Sequence, residues 1–194
     1  MRIGVALFED VEELDFAGPW EVFGVWAHEC PEDGIEVIAV AETTDPIRCA
    51  NGLRVSAGST WERVGHLDVL VYPGGIGTRK QLGLEHVRAR LRKRAAAGTL
   101  MTSVCTGALV LADAGLLDGR AATTHWGSLD LLRSLGSAIE VRADERFVDE
   151  GPVVTAAGVS AGIDMALQLV ARLHSPGRAA AVRREIQYDP QPPV

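Results

Sequence analysis

Leu100-Met101-Thr102-Ser103-Val104 is a short apolar, β-prone run that ends at Cys105. Thr106-Gly107 follows, and Ala108-Leu109-Val110-Leu111-Ala112 then reads as a helix. Strand, tight turn, helix is the layout of a nucleophile elbow, which pushes one side chain out of the backbone at a sharp corner. Gly107 lets the helix sit close to the strand. The helix N-terminus offers positive potential and free N–H groups to the sulfur. Such a setting is expected to lower the thiol pKa, and the thiolate is the reactive form. The alternative for Cys105 is a buried structural cysteine, the common fate of a free thiol.

Two other stretches offer chemistry. Asp15, in Glu12-Glu13-Leu14-Asp15-Phe16-Ala17-Gly18-Pro19, fits a carboxylic acid that exchanges protons with Cys105. Held near a thiolate away from water, its pKa is expected to rise. Asp is also favoured at helix N-caps, so a capping role is the alternative. Gly74-Gly75 carries two backbone N–H groups unobstructed by side chains, and with the Thr106 amide these could hold negative charge on a reacting atom. A plain turn after Pro73 is the competing reading.

Several motifs are set aside. Gly75-Ile76-Gly77-Thr78-Arg79-Lys80 fails the dinucleotide fingerprint at Lys80, so no nicotinamide cofactor is expected. Gly158-Val159-Ser160-Ala161-Gly162 matches G-x-S-x-G, but a serine hydrolase needs an acid and a histidine on later loops, and only helices and a tail follow. Ser160 reads instead as a cap or first-turn residue, with the glycines allowing close packing. His125 is a candidate base for Cys105, against the commoner structural histidine. There is no H-E-x-x-H or C-x-x-C, so no metal site is expected.

These residues need elements to position them. Ile3–Phe8, 35–40, Leu67–Tyr72 and 100–104 read as strands, the buried ones as near-continuous apolar runs. Ala121–Thr124, 146–149 and 152–155 add short strands. Helical patterns fall near 20–26, 78–84, 86–97, 108–114, 128–133, 159–173 and 176–187. Pro19 suits a helix start, which leaves Asp15 in the preceding loop. Asn51-Gly52, between Ile47-Arg48 and Leu53-Arg54-Val55, marks a hairpin at the sheet edge. The alternation predicts an α/β fold: a flavodoxin-like, mainly parallel sheet with helices on both faces, forming one domain over 1–194. Ligands bind beyond the carboxyl ends of such strands, so the loops carrying Asp15, Gly74-Gly75 and Cys105 are expected to converge. The tail 189–194 is too rich in proline for regular structure.

Composition narrows the function classes. With 194 residues, 47% hydrophobic and 23% charged, the chain is an ordinary globular sequence. A net charge of −7 argues against a nucleic-acid surface, and the basic run Arg88–Arg94 has the spacing of a solvated helix face. No apolar run reaches the ~18 residues of a membrane span. No signal-peptide layout opens the sequence. Three scattered cysteines (Cys30, Cys49, Cys105) suit a reducing, cytoplasmic location, with Cys30 and Cys49 incidental.

Together with Tyr72-Pro73-Gly74-Gly75, Ala122-Thr123-Thr124-His125-Trp126, Gly158–Asp164 and Tyr188-Asp189-Pro190, these motifs resemble the ThiJ/PfpI superfamily, close in fold to class I glutamine amidotransferase domains. Within it the sequence is most similar to the isocyanide hydratase branch. The resemblance places a nucleophile at Cys105 and a partner acid at Asp15. It implies hydration of an isocyanide to an N-substituted formamide through a covalent thioimidate, with no cofactor, in a homodimer. Thr106 stands where the protease-like branch has histidine, which counts against peptidase activity. The glyoxalase and chaperone branch uses a glutamate near the cysteine, where this sequence has Asp15. Two alternatives remain. One is a sensor domain like those of AraC-type regulators, which need an added helix-turn-helix for which this sequence offers neither length nor basic charge. The other is a stress protein whose Cys105 is oxidised.

Overall fold

The computed structural model describes residues 1–136 and 138–190. Strand β1 (Arg2–Ala6) leads to helix α1 (Glu13–Glu29) and strand β2 (Glu36–Ala41). Three two-residue strands follow: β3 (Ile47–Arg48), β4 (Arg54–Val55) and β5 (Ser59–Thr60). Then come β6 (Val69–Tyr72), a 3-10 turn (Ile76–Lys80), α2 (Glu85–Ala96), β7 (Leu100–Val104) and α3 (Gly107–Asp113). After β8 (Ala121–Ala122) the chain forms a 3-10 turn (Trp126–Ser128), α4 (Leu129–Leu135), β9 (Glu140–Val141), β10 (Phe147–Asp149) and β11 (Val153–Ala156). Helices α5 (Ala161–Leu173) and α6 (Pro176–Glu185) close the described fold.

Seven strands form the main sheet in the order β10-β11-β7-β6-β1-β2-β5. All neighbours are parallel except the β10–β11 hairpin. Alternation within each buried strand separates two apolar cores. Ile3, Val5, Val69, Val71 and Val104 face the α1, α5 and α6 side. Leu70, Tyr72, Met101 and the apolar residues of α3 face the α2, α3 and α4 side. A sheet covered on both faces needs side chains of this kind at nearly every position, hence the continuous apolar runs. The architecture is the expected α/β, mainly parallel one.

Three local expectations need correction. Helix α1 begins at Glu13, so Asp15 lies in its first turn and Pro19 in its interior. The Glu12 amide donates to Gly74 O at 3.0 Å, which anchors the helix entry to the β6 loop instead of to a proline start. Of 121–124, only Ala121–Ala122 forms a strand, and it pairs with β9 outside the main sheet. Thr123 and Thr124 turn inward: the Thr123 amide donates to Thr155 Oγ1, and the Thr124 hydroxyl to Cys105 O. The Asn51-Gly52 hairpin does form between β3 and β4, but its tip docks on α1, where the Asn51 amide donates to Glu13 Oε1 at 2.8 Å. Residues 191–194 of the proline-rich tail lie outside the described residues.

Candidate active site

Strand β7 is buried along its whole length and stops at Cys105, whose φ of 55° lies in the left-handed region. A non-glycine residue there is uncommon and strained, as at a nucleophile elbow. The corner is held from three sides. The Cys105 amide donates to Ala156 O and Ala157 O, at 3.1 and 2.9 Å, and Cys105 O accepts from the Thr124 hydroxyl at 2.7 Å. A Cβ on Gly107 would sit 2.0 Å from Tyr72 O, so only glycine lets α3 start this close to β6.

Asp15 is fully buried. Its Oδ2 accepts from the Gly74 amide at 2.8 Å, while Oδ1 has no hydrogen-bond partner among the described residues. The cap of α1 is Glu12, without a side-chain bond, so Asp15 is not a capping residue. Burial raises its pKa to about 7, opposed by the Gly74 N–H; the negative charge of Glu12 pushes it up, and the Cys105 thiol pulls it down. The expected rise is present.

Cys105 behaves opposite to the sequence-based expectation. Its thiol is pushed up to about 12, first by burial and then by the charge of Asp15. The backbone N–H groups of Thr106 and Val159 favour the thiolate but do not outweigh those effects. Burial, which sequence does not register, decides the sign: a helix N-terminus acts strongly on a partly exposed thiol, whereas Cys105 is only 6% exposed. With both groups in one dry site, the favoured anion is carboxylate beside thiol.

Gly74 and Gly75 hold this pair together. A Cβ on Gly74 would lie 2.7 Å from Asp15 Oδ2 and 2.6 Å from the Thr106 nitrogen, so the glycine backbone threads between the two residues. The Gly75 amide donates to Thr106 Oγ1 at 3.0 Å, and the Thr78 hydroxyl reaches Gly75 O and Thr106 Oγ1. Both glycine amides thus already serve protein acceptors. The donors turned toward the sulfur are those of Thr106 and Val159. All five expected residues (Asp15, Gly74, Gly75, Cys105 and Thr106) meet in one network.

Val159, Thr78 and Thr124 belong to that network and carry no isolated sequence signal. Val159 has φ 48°, a strained value for a β-branched residue, on the turn that leads into α5. Ser160 sits at the N-cap of α5 without a capping bond, its hydroxyl 3.4 Å from Arg146 Nη2. Gly162 provides the close packing: a Cβ there would meet Val104 at 3.0 Å and Pro19 at 3.2 Å. His125 packs against Gly158, and its Nδ1 accepts from the Gly127 amide at 3.2 Å, a structural use of the ring. Cys30 and Cys49 are buried free thiols away from the network. Among the described residues no cluster of three His, Cys, Asp or Glu could hold a metal, and no helix is long and apolar enough to cross a membrane.

The isonitrile hydratase of Pseudomonas putida is 39% identical to this chain over 193 residues, covering 100% of this chain and 81% of that protein. A helix-turn-helix-type transcriptional regulator of Pseudomonas aeruginosa is 34% identical over 140 residues, 72% of this chain but 41% of the regulator. The crystal structure of a ThiJ/PfpI family protein from Pseudomonas syringae superposes with a TM-score of 0.89 at 33% identity, covering 100% of this chain and 77% of that one. Drosophila melanogaster DJ-1beta, 21% identical, shares the fold with a TM-score of 0.85 over 97% of this chain and 98% of its own. The DJ-1/PfpI family profile matches residues 1–172, and this chain belongs to the DJ-1/PfpI family.

Proposed function

We propose that the protein hydrates a small-molecule isocyanide, R–N≡C, to the N-substituted formamide, with Cys105 as nucleophile and Asp15 as proton relay. The observation that carries this reading is the 39% identity to an isonitrile hydratase across 100% of the chain. The buried Asp15–Cys105 pair supplies a matching mechanism. As the sulfur attacks the terminal carbon, the thiol proton moves to the Asp15 carboxylate and from there to that carbon. The product is a thioformimidate, R–N=CH–S–Cys105, with S–C and C–H bonds formed and S–H broken. Asp15, a carboxylate again, then takes a proton from water as the water oxygen adds to the carbon, and the nitrogen receives that proton. Collapse of the adduct breaks the C–S bond, returns a proton to sulfur and frees R–NH–CHO. A base with pKa near 7 is well matched to each transfer at neutral pH, and covalent catalysis splits one difficult addition into two easier ones.

Charge that builds on sulfur during attack and departure would rest on the amides of Thr106 and Val159, in place of the Gly74 and Gly75 amides. The same proposal includes a homodimer, a cytoplasmic location and chemistry without a cofactor. The test is NMR detection of formamide from a small aryl or alkyl isocyanide. Wild type should form it, while Cys105→Ala and Asp15→Asn, folded by circular dichroism, should not. Full turnover by Cys105→Ala would overturn the mechanism. No formamide from a panel of isocyanides would overturn the activity and favour a binding role like that of a regulator domain.

A further inference from the structure

A cavity opens beyond the carboxyl ends of β1 and β6, on the side of the sheet that α2 covers. It is a half-open hollow of ≈ 230 Å³, with Phe8, Trp61, Tyr72, Gln81, Leu84 and Val87 among its lining residues. The 3-10 turn Ile76–Lys80 divides it from Cys105. The Thr78 hydroxyl on that turn reaches Thr106, whereas Gly77, Lys80 and the adjoining Gln81 line the cavity. The place is where the sheet order reverses: β1 has β2 on one side and β6 on the other. Crevices at such a switch point are where open α/β sheets bind ligands.

Three features define what would fit. The first is shape. Phe8 and Tyr72 are stacked with ring centroids 5.7 Å apart, and the volume exceeds the roughly 150 Å³ that holds a benzene ring in an apolar cavity. The second is a leftover polar group. The Tyr72 hydroxyl donates to Gln81 Oε1, and the buried Gln81 Nε2 has no partner among the described residues. A buried donor without an acceptor is costly, so a ligand acceptor placed there would gain from it. The third is charge. Arg90 is paired with Glu42 at 2.6 Å and lies over the Trp61 ring, and Lys80 is paired with Asp10 at 2.7 Å. These two cations at the rim are already matched, and the Glu9 carboxylate on the same lining adds negative charge, which favours a neutral ligand over an anion.

We propose that this cavity is a second binding site, separate from Cys105, for a small neutral ring-shaped molecule carrying one hydrogen-bond acceptor. The inference stands independently of the isocyanide reading. Acetophenone is a suitable probe, with ethylbenzene as its counterpart lacking the acceptor and benzoate as the charged one. In a ¹H–¹⁵N NMR titration, acetophenone should produce saturable shifts of the Gln81 side-chain amide and the Trp61 indole. Those shifts should be the same in Cys105→Ala. Ethylbenzene should bind about fivefold more weakly, the worth of one hydrogen bond, and benzoate more weakly still. Leu84→Trp, at the half-exposed rim, should block the cavity without disturbing the core, and Gln81→Met should remove the preference for acetophenone over ethylbenzene. Absence of saturable shifts, their survival in Leu84→Trp, or their loss in Cys105→Ala would overturn the site. Equal binding of acetophenone and ethylbenzene would overturn the role of Gln81.

Discussion

Replacing Asp15 with asparagine should make the protein more stable relative to wild type as pH rises. The carboxyl is fully buried, and its pKa rises from 3.8 to about 7 on folding. Between those values the folded chain holds a proton that the unfolded chain has released, so wild-type stability falls as pH rises. The relative stabilisation is complete below pH 3.8 and is lost by the time pH passes about 7. At ~1.4 kcal/mol for each pH unit, the loss over the whole span is about 4 kcal/mol, and about 3 kcal/mol of it lies above pH 4.5. Asparagine has nearly the same shape, keeps an oxygen for the Gly74 amide and carries no charge to bury; its Nδ2, in place of the unpartnered Oδ1, costs the same at every pH, so the change of the difference with pH carries the test. Urea unfolding of both proteins at pH 4.5, 6 and 8 measures the difference directly. The Asp15→Asn advantage should widen by about 3 kcal/mol from the lowest pH to the highest. An advantage that stays constant, or shrinks as pH rises, would mean that the folded site welcomes the carboxylate, and the argument from burial would fail.

In the proposed reaction the same carboxyl would set the rate profile: kcat/KM for an isocyanide should rise with pH and level off above about 7, because the ionised form would accept the thiol proton. A flat profile from pH 5.5 to 9 would remove Asp15 from the proton path. Thr106→Val keeps the shape but strips the hydroxyl that accepts from the Gly75 amide and the Thr78 hydroxyl. The Thr78 hydroxyl keeps Gly75 O, but the Gly75 amide is left unpaired, which should cost about 1–2 kcal/mol in urea unfolding. Gly107→Ala would force a Cβ to within 2.0 Å of Tyr72 O, backbone that cannot yield without parting α3 from β6. It should lose about 3 kcal/mol or more, read as a lowered melting temperature.

The elbow was legible because its parts are local. An apolar run, a cysteine and a threonine-glycine pair specify the strand, the corner and the close helix, and β7 ends where that pattern ends. Convergence of Asp15, Gly74 and Cys105 followed from parallel topology, which brings strand carboxyl ends to one side of the sheet. The start of α1 was not legible, since Gly18-Pro19 looks like a boundary. Its true start is set by the long-range bond from Glu12 to Gly74 O. Strands β5 and β9 are two residues long and exist through pairing alone, so no periodic pattern announces them. Val159 is harder still: nothing local in Gly158-Val159-Ser160 marks a β-branched residue at φ 48°. The sign of the Cys105 shift depends on how completely the fold closes over the sulfur, a property of packing that residue order does not carry.

That sign separates two kinds of cysteine chemistry. A redox-sensing thiol needs to be a thiolate in the resting protein and open to oxidant. Cys105 is buried, and Asp15 helps keep it protonated, so in the proposed reaction the nucleophile would form during the encounter with substrate by handing a proton to Asp15. The two roles of Asp15 can then be pulled apart. Asp15→Asn removes the charge that raises the thiol pKa, so a larger fraction of Cys105 is thiolate at pH 8. Alkylation by iodoacetamide, which needs only the thiolate and returns no proton to carbon, should run faster in the variant. Formamide production, which needs the relay, should fall to background. Mass spectrometry of alkylated Cys105 over time, set beside the NMR assay on the same samples, reads both. If alkylation and turnover slowed together, Asp15 would be activating the thiol in every reaction, and its main effect on the sulfur would be as a base and not as a neighbouring charge.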